Sequence, residues 1–246
     1  KPRKQDLPHF YPNLLSMILR YQSALEDPDP ETVFGWHCRA GAFERLTPPW
    51  ARVGLISRKG SIDDGGEVAL RVHKGPCSFR CVLRHRDYVR GTQFCDEQIS
   101  GPLSLWRHVH KFEPLGEQGT KLIDEIEVEL PLRPFGTALG KGSIKRNLSR
   151  LFQFRYRRLF TDLERHAQYS ALPRLTVAIT GSSGLIGSNL ASFLTTGGHK
   201  VIRLVRDRNA LGEGKIYWNP REGDIDLEGL ASADAVVNLA GVPIAD

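Results

Sequence analysis

Leu175-Thr-Val-Ala-Ile-Thr180, followed at once by Gly181-Ser182-Ser183-Gly184-Leu185-Ile186-Gly187, decides how the second part of this chain folds. The first six residues form a short apolar run rich in β-formers, suited to a strand buried on both faces of a parallel sheet. A helical pattern then continues through Leu190, Phe193 and Leu194. Gly197-Gly198-His199 ends that helix, and Lys200-Val-Ile-Arg-Leu-Val-Arg206 reads as the next strand. Each glycine of the turn has its own task. Gly181 lets the chain turn sharply out of the strand. Gly184 leaves room for a pyrophosphate to approach the N–H groups at the positive end of the helix, and Gly187 lets helix and strand pack closely. The glycine spacing alone is weak evidence; strand, turn, helix and second strand in succession mark a nucleotide-binding βαβ unit. Gly181 to Gly187 are therefore the expected pyrophosphate site.

The end of the second strand chooses the cofactor. An acidic residue there would take the ribose hydroxyls of NAD, whereas a guanidinium pairs with the 2′-phosphate of NADP. Arg206 occupies the position and predicts NADP. Asp207 follows at once and keeps NAD as the alternative.

Outward from this unit the texture changes. Of the 246 residues, those before about 172 read as short alternating segments of antiparallel sheet, and Ser170-Ala-Leu-Pro-Arg174 suits a short linker. The expected domains are 1–172, with an N-terminal tail, and 173–246, the first part of a Rossmann domain that stops before completion. The formal charge of +6 is uneven, since Lys141 to His166 holds eight basic and two acidic residues. No run reaches the ~20 apolar residues that cross a bilayer. Cys38, Cys77, Cys81 and Cys95 contain no C-x-x-C pair, which argues against a zinc site or redox dithiol and for free thiols in a reducing cytoplasm. No metal is expected.

In the first part, Leu19–Leu25 reads as a strand and Glu31–Arg45 as a helix with Asp29 as its cap. Strands are expected at Ala51–Ser57, Glu67–Lys74, Phe79–Asp87, Thr92–Ser100, Leu103–Glu113 and Lys121–Leu130. A long amphipathic helix follows from about Ser143 to Tyr169, with Ile144, Leu148, Leu151, Phe152, Leu159, Phe160 and Leu163 as its apolar stripe. This order is that of the helix-grip (START-like, SRPBCC) fold, an α+β domain whose antiparallel sheet wraps a C-terminal helix. Here it is followed by an α/β Rossmann fold with a parallel sheet. Leu105 to Phe112 alternates, so Trp106, His108, His110 and Phe112 share one sheet face. If that face is concave, they line a cavity under the helix, with His85 near them. Arg150, Arg155, Arg157 and Arg158 are read as a solvated face of the helix, or as partners for Glu44, Asp96 or the second domain, with no nucleic acid or membrane involved.

The combined motifs carry a closer resemblance. Trp36-His37, Gly41-Ala42, Arg45-Leu-Thr-Pro-Pro-Trp50, Phe94-Cys-Asp96, Gly101-Pro102, Trp106-Arg-His108-Val-His110 and Phe154-Arg-Tyr-Arg157 punctuate the first part. Thr180 to Gly187, Thr195-Thr-Gly-Gly-His199, Arg203-Leu-Val-Arg206 and Asn238-Leu-Ala-Gly241 punctuate the second. From about Leu19 to Asp246 the chain resembles bacterial fusions of an SRPBCC domain to an epimerase-like atypical short-chain dehydrogenase. The resemblance implies an NADP-dependent oxidoreductase or epimerase, with Leu239, Ala240 and Gly241 beside the adenine ribose. It implies a hydrophobic small molecule in the first domain, contacted by Trp106, His108, His110 and Phe112. A non-catalytic protein that senses NADP(H) is the alternative. Sugar epimerases use a Tyr-x-x-x-Lys pair, which the family resembled here commonly lacks. Tyr217, the one tyrosine after residue 173, is followed by Trp-Asn-Pro-Arg, so no catalytic residue is assigned.

Overall fold

Alternating burial along antiparallel strands builds the larger of two sheets. The structure is a computed structural model that describes residues 16–131 and 135–241. The N-terminal tail expected before the first strand lies outside the described residues. The first strand, β1 (Met17–Leu25), is followed by two helices, α1 (Pro30–Cys38) and α2 (Ala42–Leu46). Then come β2 (Val53–Lys59), β3 (Glu67–Lys74), β4 (Cys77–Val89), β5 (Gln93–Ser100), β6 (Leu105–Leu115), β7 (Gly119–Glu129) and the long helix α3 (Phe135–Gln168). The seven strands run in the order β1-β7-β6-β5-β4-β3-β2, so the first strand is carried across to pair with the last. This is the helix-grip arrangement: α3 lays Leu148, Phe152, Leu159 and Leu163 against Ile126, Val128, Phe112 and Leu122 of the sheet.

The single helix expected over Glu31–Arg45 is broken. Asp29 caps α1 through Thr32, as expected, but Gly41 at φ +93° turns the chain and starts a second short helix. The long helix begins earlier than its sequence pattern suggests, at Phe135, and its stripe is not purely apolar. Phe160 points outward, 51% exposed, while Arg155, Tyr156 and Asp162 turn toward the interior.

The second sheet contains β8 (Thr176–Thr180), β9 (Lys200–Val205), β10 (Lys215–Asn219), the two-residue β11 (Asp224–Ile225) and β12 (Ala235–Asn238). Its order is β11-β10-β9-β8-β12, with β10, β9, β8 and β12 parallel, the first half of a Rossmann sheet. The helix α4 (Leu185–Thr196) packs Leu190, Ala191 and Leu194 on one face, over Val177 and Ile179. The other face holds a smaller core of Ala178, Leu204 and Ile216, with Leu230 of the four-residue α5 (Leu227–Leu230) against it.

The two sheets are not merely tethered. Gly41 lies so close to α4 that a Cβ there would come within 2.6 Å of Ser192 O. Arg39 donates to the helix-terminal carbonyl of Thr196 at 2.7 Å, a favourable place for a cation at the negative end of a helix. His166 near the end of α3 stacks on Phe193 and hydrogen-bonds the Thr196 hydroxyl. Below them Arg45 donates to both carboxylate oxygens of buried Asp162, at 2.6 and 2.5 Å.

Gly41→Ala is expected to destabilise the protein by about 1–3 kcal/mol, because φ is left-handed and the new methyl meets backbone. Gly35→Ala, within α1 and with open space around it, should be neutral or stabilising. Urea unfolding of the two variants side by side checks the contrast.

Candidate nucleotide site and a buried histidine–carboxylate cluster

The glycine turn takes its shape from β8 and β12 together. Gly181 follows β8 with φ +62°, and a Cβ there would come within 2.6 Å of Leu239 O. At Gly187 a Cβ would run into the backbone of Gly181 and Ser182, so the helix can approach the strand only with glycine at that position. Thr180 ties the two strand ends together. Its hydroxyl donates to Asn238 Oδ1 at 2.5 Å and accepts from the N–H groups of Leu239 and Ala240 at 3.0 and 3.1 Å. Gly184 caps α4 without offering a side-chain acceptor, which leaves first-turn N–H groups open to an anion.

Because β8, β9 and β12 are parallel, their C-terminal ends lie on one edge of the sheet. The structure therefore brings Gly181, Ser182, Ser183, Gly184, Leu185, Ile186 and Gly187 to the same edge as Arg206 and as Leu239, Ala240 and Gly241. Ser182 is buried, and its carbonyl accepts from Arg203 Nη1 at 3.2 Å, which braces the turn from β9. Leu185 and Ile186 are 84% and 67% exposed, an apolar surface at the mouth of the turn. Arg206 is exposed at the end of β9. Asp207 accepts the N–H of Asn209 on Oδ1 at 2.8 Å, capping a 3-10 turn at Arg208–Ala210.

The four residues expected to line a cavity in the first half do share the concave face. They meet side chains there rather than open space. His108, His110 and Phe112 are buried, and Trp106 is half-buried. The space beside them, bordered by His37, Leu46, His110, Leu122, Asp124, Arg155, Tyr156 and Leu159, measures about 10 Å³. That is room for about one water.

Polar groups that sequence patterning did not bring together fill this interior. Asp124 on β7 sits in an inward column with Leu122, Ile126 and Val128. Its Oδ1 lies 2.8 Å from His108 Nε2 and 2.9 Å from His110 Nδ1, and its Oδ2 accepts from the Tyr156 hydroxyl at 2.6 Å. Asp96 lies 3.5 Å from His110 Nε2 and 2.7 Å from His85 Nδ1. His37 donates Nδ1–H to Val33 O at 2.8 Å.

Burial pushes His37 and His108 down to about 4, so both stay neutral. Burial also acts to lower His110, but Asp124 and Asp96 outweigh it and raise this imidazole to about 9. Desolvation opposes ionisation of the two carboxylates, yet their histidine hydrogen bonds hold both well below the ordinary range. Burial, then the Asp124 charge, raises Tyr156. The interior thus pairs two carboxylates with the cations of His110 and Arg155, and for Arg155 the partner includes Asp96, the alternative that the sequence offered beside a solvated face. One signal in the sequence pointed to Asp124: a carboxylate at an inward position of an otherwise apolar alternating strand.

Residues 177–245 match the NAD dependent epimerase/dehydratase family. An epimerase family protein of Mycobacterium bovis is 52% identical over 69 residues, which is 28% of this chain and 23% of that protein. The counterpart in Mycobacterium leprae is 48% identical over the same length, 22% of its own. The crystal structure of a nucleoside-diphosphate sugar epimerase from Corynebacterium glutamicum aligns with a TM-score of 0.75 at 32% identity, covering 91% of this chain and 46% of that one. The first half also shares its fold with the Zhui aromatase/cyclase of Streptomyces, at a TM-score of 0.51 and 12% identity, covering 63% of this chain and 98% of that one. The chain thus spans less than half the length of the epimerase relatives it matches.

The cluster makes stability depend on pH in two directions. His37 and His108 contribute stability above about 6.5 that is lost as pH falls toward about 4, and the depressed carboxylates add to that acid loss. His110 contributes stability below about 6.5 that is lost as pH rises through about 9. Thermal unfolding followed from pH 4 to 9.5 should therefore peak near about 6.5. His110→Gln should flatten the alkaline limb relative to the parent; an unchanged limb would show that His110 carries no proton there.

Proposed function

From a chain that joins a START-like helix-grip domain to the opening of an epimerase-family Rossmann domain, we propose that this protein is an NADP-dependent oxidoreductase or epimerase of the atypical short-chain dehydrogenase type. We take 1–172 and 173–246 as its units. The carrying observation is the anion-ready end of α4, where Gly184 leaves the first-turn N–H groups uncapped, with Arg206 on the same sheet edge. Gly181 to Gly187 would hold the pyrophosphate, and Leu239, Ala240 and Gly241 would border the adenine ribose. The exposed Leu185 and Ile186 would be covered by the bound nucleotide. Arg206 would pair with the 2′-phosphate. Hydride transfer to and from the nicotinamide is the chemistry the cofactor supplies.

The first domain would receive a hydrophobic small molecule at the half-buried apolar end of the grip, where Trp106 meets Met17, Leu19, Leu103, Ile144 and Leu151. The filled space around His110 argues against a ligand deeper in. Four free thiols suit a reducing cytoplasm. A non-catalytic NADP(H) sensor is the second reading. It is favoured by the contacts of Arg39 and His166 with the far end of α4, which connect the nucleotide turn to the first domain.

Binding of NADPH and NADH, followed by native mass spectrometry and fluorescence titration, tests the assignment. Arg206→Ala is expected to weaken NADPH about 10–100-fold, the value of a lost hydrogen bond to a charged group, and to leave NADH nearly unchanged. Equal losses for both cofactors would refute the NADP assignment, and a parent protein that binds neither would refute the function.

A further inference from the structure

Three donor groups converge beneath α3 at a place that nucleotide chemistry does not use. One donor atom from each of Asp96, His108 and His110 lies within 4.8 Å of the other two. Ligands around one ion, at metal distances of about 2.0–2.2 Å, stand roughly 3–4.5 Å apart, so this spacing suits a shared cation after small side-chain movements. The sequence shows two of these ligands, the alternate histidines of β6. The fold supplies the third by setting Asp96 directly across from His108 in the register of β5 on β6.

The surroundings hold the ligands as metal-binding side chains are usually held. Asp124 Oδ1 engages one nitrogen of each ring, Nε2 of His108 and Nδ1 of His110. A carboxylate in that position fixes the tautomer and orientation of a ligating imidazole. His85 sits 2.7 Å from one oxygen of Asp96, while the other faces His110 Nε2 across 3.5 Å. His37 lies beyond His110. Its Nδ1–H is committed to Val33 O, so its Nε2 carries a bare lone pair. With His110, Asp124, Tyr156 and Arg155 it borders the 10 Å³ cavity, which has room for about one water.

We propose that Asp96, His108 and His110 bind one divalent transition-metal cation. Imidazole and carboxylate donors without thiolate favour zinc or iron(II) over copper(I). Arg155 is the cationic group that opposes an ion here, and the two carboxylates, Asp96 and Asp124, outnumber it. A proton on the His110 ring leaves to solvent as the ion enters, so binding releases acid. Such a site gives the first domain a Lewis acid of its own, independent of the nucleotide half.

The full chain, stripped with a chelator, is loaded with Co²⁺ by dialysis and, separately, during refolding from urea. The expected result is one ion per chain, a visible absorption band of low-coordinate Co²⁺, and its displacement by Zn²⁺. X-ray absorption of the zinc-loaded parent should show nitrogen and oxygen ligands at about 2.0–2.2 Å and no sulfur. A sulfur shell would assign the ion to the exposed thiols of Cys38 or Cys77 and overturn the proposal. Retention of neither ion after gel filtration would overturn it as well. His108→Ala and Asp96→Asn should abolish stoichiometric uptake, with His73→Ala, on an exposed residue, unaffected. Tyr156→Phe removes a donor to Asp124 and should weaken affinity about 10–100-fold, as changes behind a ligand do. The spectra of the parent protein decide the question even where a buried variant fails to fold.

Discussion

Asp124 is the residue on which the interior of the first half depends. It belongs to β7, takes the two histidines of β6 on one oxygen and takes Tyr156 of α3 on the other. One carboxylate therefore joins two neighbouring strands to the helix they grip. An ionised group buried without partners is prohibitively costly, so its three contacts hold Asp124 in its ionised form and fix its neighbours in position. Apolar packing of Phe152, Leu159 and Ile126 drives the helix onto the sheet, and the hydrogen bond from Tyr156 to Asp124 adds a directional contact to it.

The same constraint explains why the interior is closed. A helix-grip domain of this shape leaves space between sheet and helix, and here side chains of opposite charge occupy it. Asp96 and Asp124 are balanced by His110 and Arg155, with neutral His37 and His108 between them. Replacing such a network with apolar residues would commonly cost nothing in stability. Removing a single member would instead leave an uncompensated buried charge, so each depends on the others.

How much of this was legible follows from which signals are local. The glycine turn was readable because each glycine answers a constraint within a dozen residues: the left-handed φ of Gly181, the open cap at Gly184, the close approach at Gly187. The strands of the grip were readable by alternation, and none of their ends shifted by more than two residues. The break at Gly41 was hidden because its cause is tertiary, the backbone of Ser192 in the other half of the chain. Arg155 was half legible, since the sequence offered both a solvated face and Asp96 as its partner. Three- and four-residue spacing sorts apolar from charged positions, but it cannot show that an inward position has carboxylates waiting opposite. The connections between β9 and β12 were missed because η-type and four-residue helices carry almost no periodicity.

The helix α4 joins these two centres. Its first turn shapes the nucleotide site, and its last turn is held by Arg39 and His166. Arg45 lies over the ring of Phe193 and is fixed by Asp162 of α3, the same helix that carries Arg155 and Tyr156 two turns earlier. An unbroken set of contacts therefore runs from the glycine-turn end of α4, through Phe193 and α3, to Asp124. Contact alone is not coupling. What favours coupling here is stiffness: a twelve-residue helix braced by backbone close approach at Gly41 has little freedom to absorb a shift at one end without passing it to the other. A change in the position of α3 that opened the interior would have to move Asp162, and with it the anchor of Arg45 beneath α4.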